Sequence, residues 1–396
     1  MKRLFVFLFS CILVCSSGFC QKKEIAQAQA NIKSGKNLDK AVADMQKLLS
    51  DSDNTGNMKI WHTLVEALRI QYEQGNERLY LKQKSDTAAL FFTARRLFLA
   101  CEAMDSADAR PDKKGRVKLN FRKRNAEYLN AYRKNLYSGG VYFISKQNYA
   151  SAFDMFDVYL DCKRQPLFSG FKYGEDLRAD LSAAYLATFC GAKLNNDSMT
   201  MKYSEKALLY EQGREKTLQY LAGIYSRKQE DTKYLETLKT GLEDYPKSEF
   251  FFTRTVDYYN SNNMPDSALL VADKALKADS LSTLFLYAKS NIMLNTGRYK
   301  ECIALCDRVI SLNDTIADTY YTAGVAYLNM AFEAEKNQSS SRKAEIKKYY
   351  KNAMPYMERY RELAPEQKDR WAAALYNIYL NLNMGKKFEE ISKMLQ

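Results

Sequence analysis

Residues 218–246 read LQYLAGIYSRKQEDTKYLETLKTGLEDYP, residues 252–280 read FTRTVDYYNSNNMPDSALLVADKALKADS, and residues 286–314 read LYAKSNIMLNTGRYKECIALCDRVISLND. The three stretches superimpose without gaps at one constant step, the distance from Tyr225 to Tyr259 and again from Tyr259 to Met293. Tyr234, Ala268 and Cys302 fall in the same register, as do Leu238, Ala272 and Cys306, then Gly241, Ala275 and Val309. A fixed step of this length is what a repeated helix–turn–helix unit leaves in a sequence. In the first stretch Leu218, Leu221, Ala222 and Tyr225 lie at spacings of three and four, on one helix face. Tyr234, Leu238, Gly241 and Leu242 line a second helix, which Pro246 follows. The turns of the next two stretches, Asn260–Pro265 and Thr296–Tyr299, are rich in residues that end helices. Units are therefore predicted at 214–246, 247–280 and 281–314.

The pattern extends outward in both directions. Downstream, Tyr320, Ala323, Gly324 and Tyr327 make a first helix, and Ala353, Met357 and Tyr360 a second that closes at Pro365, with Trp371 opening the next unit. The long interval from Tyr327 to Ala353 predicts a lengthened helix pair with an exposed loop around Gln338–Ser341. Upstream, Leu136, Gly139, Gly140 and Phe143 pair with Tyr149, Ala152, Phe156 and Tyr159, the two glycines letting neighbouring helices approach closely. Asp180–Tyr210 reads as helical with Ala183, Ala184 and Ala187 on one face and Lys206-Ala207-Leu208 closing a second helix. Leu38, Ala41, Met45 and Leu48 look like a lone second helix. Trp61, Leu64, Val65 and Leu68 then begin a unit whose second helix is displaced to about 86–104.

These residues resemble the tetratricopeptide repeat (TPR) family. Its first helix carries a large residue, then Leu and a small residue, then Tyr; its second carries Ala, an aromatic and Ala at steps of four and three, and Pro closes the unit. Leu218, Leu221, Ala222, Tyr225 and Pro246 fit this pattern well, and Tyr320, Ala323, Gly324 and Tyr327 fit its first helix. The resemblance, firm over about 200 residues and looser over most of the rest, implies an all-α, right-handed α-solenoid of stacked helix–turn–helix repeats at 136–396, with 21–135 as an N-terminal helical region of degenerate repeats. In such a stack each unit buries its apolar face against its neighbours. It also implies a protein that holds partners on the surface of its first helices and organises multiprotein assemblies.

Residues 1–20 stand apart. Lys2 and Arg3 precede an apolar run from Leu4 to Val14, then Ser16, Ser17 and Gly18, and the chain turns polar at Gln21. This is the layout of a secretory signal peptide, with cleavage expected between Cys20 and Gln21. The rival reading, lipid modification of Cys20, is disfavoured by Phe19 just before it. The expectation is an exported protein, periplasmic or associated with the outer envelope, with no transmembrane span. Of the formal charge of +13, Lys2 and Arg3 supply two units, leaving about +11 and favouring anionic partners. Beyond Cys11, Cys15 and Cys20, the cysteines are Cys101, Cys162, Cys190, Cys302 and Cys306, an odd and irregular set that is no disulfide framework. Cys302 and Cys306 replace Ala268 and Ala272 one repeat earlier, so they read as packing residues.

Nothing in the sequence assembles a catalytic site, and no cofactor or metal is expected. His62, beside Trp61, is the only histidine, and most acid–base and metal-hydrolase sites need His or a tight carboxylate pair. No phosphate loop, GxSxG or HExxH occurs. The expected role is a non-catalytic protein–protein interaction scaffold. Contact candidates are Lys113, Lys114, Arg116, Lys118, Arg122, Lys123 and Arg124 in a basic stretch running to Arg133 and Lys134, opposed within it only by Glu127. That stretch suits an acidic protein segment or an anionic envelope surface, and its bland alternative is a solvated helix face. Nucleic acid is not expected, since no recognition motif accompanies the cations. Arg254, Asn260, Lys289 and Asn291, on or near first helices, complete the candidates. The alternative is an outer-membrane-associated glycan or nutrient binder with an aromatic groove. The 29 Tyr favour it, especially Tyr137, Tyr142, Tyr258, Tyr321, Tyr349 and Tyr376, which fall off the packing frame.

Overall fold

The computed structural model describes residues 21–173, 177–336 and 342–395, and every regular element among them is helical. The chain divides into two compact units between Tyr220 and Leu221. The first holds α1 (21–34), α2 (Leu38–Leu49), α3 (Met58–Tyr80), α4 (Thr87–Asp108), α5 (Arg122–Ser145), α6 (Tyr149–Asp161), α7 (Leu177–Lys193), α8 (Asp197–Lys202) and α9 (Ser204–Ala207). The division falls inside α10 (Glu211–Arg227). The second holds α11 (Asp231–Asp244), α12 (Glu249–Ser261), α13 (Pro265–Ala278), α14 (Thr283–Asn295), α15 (Tyr299–Leu312), α16 (Ala317–Lys336), α17 (Lys343–Leu363), α18 (Lys368–Asn381) and α19 (Gly385–Leu395). Within each unit a helix packs chiefly on the helices before and after it in the chain, the arrangement of a helical array.

The turns are set by one backbone device. In eight of them a residue in the left-handed region is followed by an N–H that reaches back five residues, the Schellman closure of a helix end; Lys36 after Gly35 and Gln83 after Lys82 reach Asn31 and Arg78 at 3.2 and 2.9 Å. Asn148, Asn196, Glu230, Met264, Arg298 and Met384 donate in this way to the carbonyls of Phe143, Gly191, Tyr225, Tyr259, Met293 and Tyr379, at 2.9–3.0 Å. The left-handed residues Asn195, Gln229, Asn263 and Gly297 recur at the same step as the packing residues, so the register reaches one unit further upstream than the apolar pattern. Asn148 and Asn196 then cap the next helix, their side chains accepting the N–H groups of Ser151 and Met199.

Packing residues fall where the periodicity puts them. Phe252, Ala268, Ala272 and Ala275 are buried together, as are Met293, Cys302 and Cys306 with Ala323. A Cβ on Gly140 would lie 2.4 Å from the Phe156 ring, so α5 meets α6 at a distance that only glycine permits. The lengthened pair after Tyr320 is present as α16 and α17, of 20 and 21 residues, while Gln338–Ser341 lies outside the described residues, as do residues 1–20. The point 135/136 lies within α5.

Two expectations are corrected. Leu38–Leu48 is not a lone second helix, because α1 precedes it and buries Ile25 and Ala28 in the core that takes Ala41, Val42 and Met45. With so few apolar residues α1 leaves little periodic trace. The second helix ending at Lys206-Ala207-Leu208 is not continuous either. It breaks at Tyr203 (φ −122°, ψ 8°), whose hydroxyl donates to Asp157 at 2.6 Å, giving the short α8 and α9.

One half-buried acid stands out in the first unit. Burial, and then the nearby Asp161 carboxylate, push Glu102 up to about 8, and its Oε1 is buried without a hydrogen-bond partner. An acid raised on folding stabilises the native state fully below its unfolded value of 4.5 and loses that contribution as pH rises toward 8.

Substitutions at two of the turn residues should act with opposite signs. Gln229→Gly relieves a left-handed conformation that costs an L-residue roughly 1–2 kcal/mol, part of it offset by the freer unfolded chain, for a net gain of about 0.5–1 kcal/mol. Gly297→Ala, at a φ of 75° with open space around its Cβ, loses about 1 kcal/mol. Urea midpoints shifting in the same direction for both variants would contradict this. In the core, Glu102→Gln stabilises the protein by roughly 1–3 kcal/mol at pH 8 while leaving pH 5 nearly unchanged, read as melting temperature against pH. Parallel pH profiles for the two proteins would show that Glu102 ionises normally.

Candidate partner-binding surfaces

The basic stretch does not form one cationic patch. Arg116 closes a turn on Asp112, whose carboxylate accepts both its guanidinium and the N–H groups of Lys114 and Arg116. Those bonds, from Arg116 first, hold Asp112 below its usual range. Arg122 makes a bidentate pair with buried Asp105, both bonds 2.8 Å, and Arg124 reaches Glu66 at 2.9 Å. Arg133 lies between the rings of Tyr159 and Tyr173, 3.9 and 4.2 Å from their centroids, and pairs with Asp180. Lys113, Lys114, Lys118 and Lys123 are exposed and make no ion pair among the described residues. These lysines thus lie on the α4–α5 connection and the first turn of α5, while Arg122, Arg124 and Arg133 tie α5 to other helices.

The candidates on first helices separate in the same way. Lys289 reaches from α14 to Asp273 of α13 at 2.6 Å, and Asn291 accepts from Thr322 of α16 at 3.2 Å. Both hold neighbouring helices together. Arg254 and Asn260 stay exposed on α12, with the Arg254 guanidinium 3.8 Å from the Phe250 ring centroid. The off-frame tyrosines are also engaged. Tyr137 packs on Phe156 and Tyr159, Tyr142 on Phe91 and Phe143, Tyr258 on Tyr234, Tyr321 on Tyr360, and Tyr376 on Phe388. Tyr349 donates to Glu345 at 2.5 Å. The aromatic content is therefore largely spent on contacts between adjacent helices.

The titratable residues fit packing roles. All five cysteines of residues 21–396 are free and buried. Burial pushes Cys101 and Cys162 up, and Cys190 to about 12; the hydrogen bond with Cys306, then burial, raise Cys302. His62 is half-buried against the Phe121 ring and lies 3.4 Å from the Arg124 guanidinium.

A surface that the sequence reading missed lies in the second unit. A groove of about 370 Å³ runs between α11 and α13 over α12, with Leu242, Tyr259, Leu270 and Val271 in its lining and Lys239, Lys274 and Glu243 at its edges. Leu270 is 58% exposed, although its equivalents one repeat before and after are Glu236 and Ala304. It is therefore not a packing residue of the repeat. The run Leu269-Leu270-Val271, three apolar residues where a helix face needs fewer, is the sequence feature that could have revealed it.

No protein-family model matches this sequence, and no curated protein is significantly similar to it. Among solved structures, the C-terminal part of a TPR repeat-containing protein from Cytophaga hutchinsonii is 14% identical, covering 64% of this chain and 92% of its own, with a TM-score of 0.45. A tetratricopeptide repeat protein from Parabacteroides merdae is 14% identical over 66% of this chain and 98% of its own, with a TM-score of 0.38. YrrB, described as a TPR protein with an unusual peptide-binding site, is 16% identical over 49% of this chain and 89% of its own, with a TM-score of 0.35. These superpositions are loose, and the repeat assignment rests on the chain's own constant step, helix pairs and turns. On that ground the helix pairs of this chain resemble those of tetratricopeptide repeats.

Proposed function

We propose that this chain is a non-catalytic protein–protein interaction scaffold, exported to the cell envelope, that takes a partner segment into the groove between α11 and α13. The carrying observation is Leu270, a large apolar side chain left 58% exposed at a position where the repeat itself asks for nothing apolar. Exposed apolar area with a polar rim is what a partner surface offers. Lys239 and Lys274 against the one Glu243 leave the rim net positive, so the segment that fits combines apolar side chains with acidic ones. Lys113, Lys114, Lys118 and Lys123 form a second, purely electrostatic contact, suited to an acidic protein region or an anionic envelope surface. The export reading is supported by Lys2, Arg3 and the apolar run to Val14, within residues that the structure does not describe.

The test is in-cell crosslinking followed by purification at low and high salt, with wild type compared to Leu270→Glu. The variant changes an exposed position, so its melting temperature stays within about 2 °C. It should lose at least tenfold of the partner recovered at high salt, because a new carboxylate faces an acidic segment across an apolar floor. Equal recovery from the variant would remove the groove from the interface. Partners lost at high salt from both proteins, and crosslinked to Lys113–Lys123, would assign binding to the basic connection.

A further inference from the structure

A second cavity, in the first unit, is cationic where the groove between α11 and α13 is apolar. It has a volume of about 270 Å³ and lies between the end of α6 and the α8–α9 break, with Lys163, Arg164, Lys202 and Lys206 in its wall. Two local departures from the repeat create it. The second helix is interrupted at Tyr203, and α6 runs into a 3-10 turn, Cys162–Arg164, that brings Lys163 and Arg164 to the rim.

The charges around it do not balance in pairs. Lys202 is held by Asp157 at 2.5 Å and Lys206 by Asp180 at 2.8 Å, while Asp161 accepts from Gln165 and Asp180 also holds Arg133. Glu205 is the only carboxylate that lines the cavity itself among the described residues. Lys163 and Arg164 have no carboxylate at ion-pair distance among the described residues, and Lys163 stands against Lys206, ammonium to ammonium. Partial burial and that neighbour hold the Lys163 amine below its usual value. The Asp180 carboxylate, already shared by Lys206 and Arg133, and the carbonyl end of α6, worth about half an elementary charge, offset them only in part. Lys163 and Arg164 thus stand exposed on the rim of a half-open cavity, neither of them ion-paired among the described residues.

We infer that this cavity is an oxyanion site that takes a phosphate group, with the Arg164 guanidinium able to give two parallel hydrogen bonds and Lys163 and Lys206 supplying point charge. A guanidinium fork matches the edge of a phosphate in a way that chloride cannot use. The same chemistry is offered by inorganic phosphate, a soluble phosphate ester or a phospholipid headgroup.

The experiment is a thermal-shift and calorimetric titration of the full chain with inorganic phosphate, against sodium chloride at equal ionic strength. Phosphate at about 10 mM raises the melting temperature by roughly 2–4 °C and chloride does not. The K163Q/R164Q variant loses the response, with affinity at least tenfold weaker, while K163R/R164K, which keeps both charges, retains most of it. Should the first variant melt early in phosphate-free buffer, the single variants K163Q and R164Q are titrated instead, and an undiminished response in both overturns the proposal. An equal shift in wild type and K163Q/R164Q, or an equal shift with chloride, overturns the proposal. Glycerol phosphate and vesicles of equimolar phosphatidylglycerol and phosphatidylcholine identify the source. Vesicle flotation lost in K163Q/R164Q assigns a lipid headgroup, and glycerol-phosphate binding without flotation assigns a soluble ester.

Discussion

A single helix pair has an apolar face that it cannot cover by itself, and everything else in this chain depends on that. The face is covered only by the next pair, so the angle at which one helix hands over to the next must be the same each time. The left-handed turn residue fixes that angle. It stands at Asn195, Gln229, Asn263 and Gly297, and each is followed by the same five-residue closure. Three of the four are not glycine, so the sequence carries a local cost of roughly 1 kcal/mol per turn to keep the geometry. The packing residues then need only be small or aromatic at fixed offsets, which is why cysteine replaces alanine in one repeat without consequence for the helix.

The charge distribution follows from the same stacking. A chain with a formal charge of +13 has to place its cations somewhere, and Arg122 and Arg133 sit between helices rather than on an outer face. Buried Asp105 and Asp180 draw Arg122 and Arg133 inward, because a carboxylate removed from water requires a close cation. Arg133 adds contact with two tyrosine rings. Lysines, with a compact and strongly hydrated charge, stay outside, and they make up what remains of the basic stretch.

The solenoid was legible in the sequence because its period is carried by residues that pack, and packing residues are constrained at every repeat. Tyr225, Tyr259, Ala268 and Ala272 report the fold without reference to anything distant. What escaped was set by contacts between residues far apart in the chain. The partners of the basic stretch, Glu66, Asp105 and Asp180, lie outside it, so a window confined to Lys113–Lys134 saw only Glu127 opposing it. Lys289 and Asn291 were correctly placed on a first helix, yet their atoms are used by Asp273 and Thr322. The break at Tyr203 depends on Asp157, in a different helix pair, and no local preference announces it.

Position 270 shows where specificity is written in such an architecture. The inward offsets are fixed by stacking and vary only among residues of similar size, so they cannot distinguish one partner from another. The outward offsets on second helices carry no packing duty, and the same site is Glu236, Leu270 and Ala304 in three successive repeats. Substitution there changes the chemistry of a groove while leaving the array intact. The cavity beside Lys163 arises differently, by interrupting a helix so that new side chains reach the wall. One route decorates the repeat and the other cuts a helix inside it, and the step from Asn195 to Gln229 is kept across the cut. Departures from the repeat frame, an apolar residue facing out and a helix cut short, are therefore where both proposed binding sites of this chain lie.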